Sequence, residues 1–216
     1  MKVLNRIAAD FDSTIDNADE VVKDIRIENF NEFKESGIPT SKEEFWKYTD
    51  PSIVKDSEFS LGASSEINDD KFDIIIVNGK LVKKIERIMN TDVQNGFSAN
   101  LLENNYFDKT KNPFINLNNA FLTDGCVINF NNESKEDIRI LNVVNNTNSE
   151  QIIHPRIIIK AGKNSNITIF EEVRFLGEMK NLVNSVTNFY LEEGANVEHV
   201  MVDDFSENTY QISNIL

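Results

Sequence analysis

The sequence predicts a mainly β protein with a helical front. Three observations carry this. Apolar residues recur at helical spacing only in the first third, short strands separated by Gly, Asn, Asp and Ser fill nearly everything after about residue 123, and one strand–turn–strand pattern occurs twice. The chain divides on this reading into a helical region over 1–71, a mixed α/β connecting region over 72–122 and a β region over 123–216.

In the front region, Ala18 to Ser36 places Val21, Val22, Ile25, Ile27, Phe30 and Phe33 mostly at helical spacing. Asp16 or Asn17 can cap this helix, Gly37 stops it and Pro39 prevents its continuation. Ser41-Lys-Glu-Glu44 has capping-box form, which predicts a second, short helix. Phe45, Trp46 and Tyr48 crowd one turn there, and the cluster is read as an anchor that packs this unit onto its neighbour rather than as a binding surface.

Phe72 to Val82 reads as a strand, a tight Asn78-Gly79 turn and a second strand. Asn100 to Asn112 reads as helical or irregular, broken by Pro113. From about Thr123 the expected strands are Val127 to Phe130, Ile138 to Val144, Gln151 to Ile153, Ile157 to Lys160, Ile167 to Val173, Val183 to Glu192 and Val197 to Val202. Ile158 to Asn164 and Tyr190 to Asn196 share a strand, a charged residue and a Gly-x-Asn turn before an alternating strand, with Gly162 and Gly194 32 residues apart. An earlier glycine, Gly125, also precedes a strand. Recurrence on this scale points to a solenoid in which each coil buries its apolar face on the next, with a β-sandwich as the alternative. A solenoid needs polar caps, and Tyr210 to Leu216 brings none, so the β region is expected to be incomplete or to end in a strand exchanged with a partner.

Composition narrows the function classes. The 216 residues are 40% hydrophobic and 27% charged, ordinary for a soluble domain. A net charge of −14 without a basic patch argues against nucleic acid: the densest basic stretch, Lys80 to Arg87, is interrupted by Glu and apolar residues. No apolar run approaches the ~20 residues that span a bilayer, and Met1 to Asp12 lacks signal-peptide form, so a cytoplasmic setting is expected. Cys126 is the single cysteine, excludes an internal disulfide and reads as a buried small hydrophobe.

Motifs that would carry chemistry are missing. Gly162 to Asn166 lacks the second glycine and the Gly-Lys-Ser/Thr ending of a phosphate loop, and no dinucleotide fingerprint follows a strand. His154 and His199 have no His, Cys or Asp partner at metal-ligand spacing; His154 reads as a hydrogen-bonded turn residue and His199 as half-buried packing. The pairs Glu171-Glu172, Glu192-Glu193 and Asp203-Asp204 point to opposite faces if they lie on strands, and read as solvated charges. No catalytic, metal or cofactor residue is assigned.

Several stretches resemble the SufB/SufD family of the SUF iron–sulfur cluster assembly machinery, and its SufD branch in particular. Gly37-Ile-Pro-Thr-Ser-Lys-Glu-Glu-Phe-Trp-Lys-Tyr-Thr49 is similar to that branch's Gly-Leu-Pro-Thr-x-x-x-Glu-x-Trp-Lys-Tyr-Thr, and Ile76-Val-Asn-Gly79 to the strand and turn that follow it. Leu117-Asn-Asn-Ala-Phe-Leu-Thr-Asp-Gly125, His154-Pro-Arg156, Asn184-Ser-Val-Thr-Asn and the Gly194-Ala-Asn turn continue the resemblance, which runs from about Ile25 to Leu216.

The resemblance implies the N-terminal helical region and first coils of a right-handed parallel β-helix of SufBD type. It implies a non-enzymatic scaffold that works with SufB and SufC. An iron–sulfur cluster or iron is implied only for the full complex, and no cofactor for this chain alone. The C-terminal β-helix, the pairing surface and the SufC-binding helices of the family lie outside this sequence, so no cluster ligand is carried over. Trp46, Asn119, Gly125 and Arg156 match family motifs and are read as structural. A β-helical carbohydrate-active enzyme is the alternative, and a stand-alone adhesin the third reading.

Overall fold

The structure is a computed structural model that describes residues 2–16, 18, 20–63, 66–84, 91–97, 107, 110–122, 124–146, 149–204 and 206–216. Asn17, Arg87, Thr123 and most of the Asn100 to Asn112 stretch lie outside the described residues.

Two helices open the chain. Helix α1 (Lys2–Ile15) buries Val3, Ile7 and Phe11, one residue per turn along a single stripe. Helix α2 (Glu20–Ser36) packs against it through Phe30, whose ring stacks on Phe11 with centroids 3.9 Å apart. Gly37 ends α2 at φ +69°, and its N–H donates to the Phe33 carbonyl at 2.7 Å.

The expected second helix is a correction. Ser41 caps nothing; the residues before the turn bond locally, Glu43 accepting the Thr40 N–H at 2.9 Å and Thr40 Oγ1 accepting the Lys42 N–H at 3.4 Å. Only a single 3₁₀ turn, Glu44–Trp46, follows. Asp50 then caps another 3₁₀ segment, Pro51–Asp56, by accepting the Ser52 N–H at 2.9 Å. The few residues between Gly37 and the Asp50 cap leave too little chain to repay α-helix nucleation.

The expected hairpin forms, with β2 (Ile74–Val77) and β3 (Lys80–Lys84) joined by Asn78 at φ +48° and Gly79 at φ +83°. A two-residue strand β1 (Ser60–Leu61) precedes it and β4 (Thr91–Asn95) follows. Pro113 also begins a helix, which the sequence reading did not include. Asn112 accepts the Phe114 N–H at 3.0 Å, and α3 (Pro113–Ala120) runs on from there, buried along its whole length. Proline suits the first helical position because its missing N–H would have had no partner.

The remaining strands are β5 (Cys126–Phe130), β6 (Lys135–Asn145), β7 (Gln151–Ile153), β8 (Arg156–Ala161), β9 (Asn166–Leu176), β10 (Asn181–Leu191), β11 (Asn196–Asp204) and β12 (Thr209–Ile215). They alternate between two sheets, and each pairs parallel with the strand one turn of chain later. One sheet stacks β5, β8, β10 and β12, with β7 beside β8 along β10. The other stacks β2, β6, β9 and β11. The register advances 31 residues from Cys126 to Ile157 and from Lys135 to Asn166, then 30 from Arg156 to Val186 and from Asn166 to Asn196.

Tight turns at 131–134, 162–165 and 192–195 hold that register. In each, the fourth N–H donates to the first carbonyl: Ser134 to Asn131, Ser165 to Gly162 and Ala195 to Glu192, at 3.0–3.3 Å. The turns also bond to one another, Glu133 N–H to Lys163 and Asn164 N–H to Glu193. The third position takes positive φ in every copy, at Glu133, Asn164 and Gly194. Gly194 therefore corresponds to Asn164 rather than to Gly162, which corrects the 32-residue alignment to 30. Gly162 is small for another reason: a Cβ there would lie 2.6 Å from Asn132 Oδ1 and 2.7 Å from its backbone nitrogen.

Between the sheets the first turns enclose Ile74, Ile76, Cys126, Ile128, Ile138, Ile140, Ile157, Ile159, Ile167 and Ile169. The outer face of the β5–β8–β10 sheet is covered too, by α1, α2 and α3, which is why its strands read as unbroken apolar runs. No helix among the described residues is long and apolar enough to cross a membrane.

Candidate functional site

Two polar arrangements lie inside this apolar frame. The first is between the sheets. Strand β9 alternates, with Ile167, Ile169, Glu171 and Val173 buried, so its inward positions are the odd ones. The register sets Ile138, Ile169 and His199 in one column, and Ile140, Glu171 and Met201 in the next. Across three strands the interior thus changes from aliphatic to ionisable. Glu171 Oε2 lies 2.9 Å from His199 Nε2, and Asn142 donates to Glu171 Oε1 at 3.3 Å. Asp203, on the same face as His199, has its carboxyl pushed up by burial and then by the Glu171 charge. From the opposite sheet come Ser185 and Ser213, 2.9 Å apart, and Gln211, which donates to Ser213 at 3.1 Å. The free space here is about 20 Å³, enough for one water.

The placement of Glu171 is a correction: it is a buried strand residue, not a solvated charge. Its neighbour Glu172 does face outward and pairs with Arg174, which also reaches Asp69 at 3.3 Å. Glu192 and Glu193 are exposed turn residues. Cys126 is fully buried, and desolvation, followed by the Glu171 charge, pushes its thiol up to about 12. A thiol so far from ionising is a poor nucleophile and ligand. Among the described residues no three His, Cys, Asp or Glu side chains converge as a metal site would require.

The second arrangement joins the helical front to the sheets, and it is built from the motif residues. Arg156 is buried and donates to Asn119 Oδ1 at 2.7 Å and Asn118 Oδ1 at 3.2 Å, with its guanidinium over the Phe107 ring. Burial pulls its pKa down to about 9, which leaves it a cation at neutral pH. Asn119 donates to Asn29 Oδ1 of α2 at 3.0 Å, and Asn118 donates to the carbonyls of Pro155 and Asn184. Asn184 in turn donates to the Phe114 carbonyl and lies 3.2 Å from His154 Nδ1. Trp46 packs on Phe114, with centroids 5.3 Å apart. Gly125 is crossed by the Phe97 ring, which a Cβ would strike. These contacts orient one layer on another.

Both arrangements sit in a layered stack of parallel strands that buried amides lock to a helical front. Residues 143–215 match the family model described as SUF system FeS cluster assembly, SufBD core domain. The match covers about a third of the chain and likens that segment to a domain of iron–sulfur cluster assembly by the SUF system. The matched segment runs from the end of β6 to β12 and includes both Glu171 and His199. No curated protein matches the chain in sequence.

Proposed function

We propose that this chain is a SufD-like scaffold subunit of the SUF machinery, working with SufB and SufC and catalysing nothing itself. The observation that carries the reading is the coincidence of the SufBD core match, over 143–215, with the parallel two-sheet stack. On this reading the stack is the right-handed parallel β-helix of the family. Iron or a nascent cluster is cargo of the assembled complex rather than a cofactor of this chain, and the setting is cytoplasmic. The surviving SufD motifs support that branch over SufB: Trp46 fastens the first motif to α3, and Asn119 and Arg156 bond the next two to each other.

Co-expression of the tagged chain with SufB and SufC tests this. Both should be retained through a high-salt wash and co-elute in size exclusion. Loss of both partners, with turnover of a glycan substrate by the chain alone, would overturn the proposal in favour of a carbohydrate-active enzyme.

A further inference from the structure

We draw no further inference here: the strongest candidate, the outer edges of β11 and β12 at the end of the stack, which pair with no other strand among the described residues and leave Val200, Met201, Val202, Ile215 and Leu216 exposed beside them, is an open face, and nothing in the structure shows what covers it.

Discussion

At the residue scale, the buried side chains set the pH behaviour. His154 titrates near 6.5 when unfolded and near about 3 in the native protein, so the unfolded chain binds more protons between those values. Its contribution to stability is complete above about pH 6.5 and is lost as the pH falls toward 3, by at most about 1.4 kcal/mol per pH unit. Urea unfolding of the wild type and of His154→Phe at pH 6.5 and pH 5 should show the wild type losing about 1.5 kcal/mol more than the variant. Parallel losses would mean that the ring is protonated inside the fold. The Glu171–His199 pair makes a second prediction. His199→Leu leaves a buried carboxylate alone and should cost about 3 kcal/mol, whereas Glu171→Leu with His199→Leu should fall within about 1 kcal/mol of wild type. Additive losses in that cycle would mean that the two side chains do not interact. Counting in twos from Ile167 already places Glu171 inward, so its burial was legible in the sequence. Its partner was not, because pairing Ile169 with His199 requires the 30-residue register, and the two glycines suggested 32.

At the scale of elements, the aromatic cluster divides. Trp46 packs on Phe114, but Phe45 and Tyr48 are 98% and 91% exposed, so the expectation that all three anchor the turn holds for Trp46 alone. Trp46→Ala should cost about 2–3 kcal/mol in thermal or urea unfolding, and Phe45→Ala less than about 0.5 kcal/mol. Equal effects would place Phe45 in a contact of its own. The aromatic spacing could not separate them, since a 3₁₀ turn presents successive residues differently from an α-helix. Pro113 shows a related ambiguity. A proline after an apolar-polar mixture reads equally as a stop or as a first helical residue, and only the Asn112 side chain on the Phe114 N–H decides. The Asn78-Gly79 hairpin was legible because two consecutive positive-φ residues have few other uses.

At the scale of the whole molecule, turn formers and alternation located nearly every strand of the stack, while nothing local revealed β1, a two-residue strand held by β7. The parallel pairing is a long-range fact, fixed by turns that bond to one another rather than by any strand alone. The layering of helices over one sheet follows from the Asn118–Asn119–Arg156 contacts, whose residues lie more than thirty positions apart.

Because the turns at 131–134, 162–165 and 192–195 are superimposed, chain length in this region is quantised. Dropping one residue from β9 would rotate every later side chain to the opposite face, carrying Val173 into water and Arg174 between the sheets. Excising one whole period, about 30 residues, would instead let β6 meet β11 with all faces preserved and Ile138 opposite His199. Insertions and deletions that survive selection in this part of the protein should therefore come in whole layers, and a comparison of family lengths would show steps rather than a continuum.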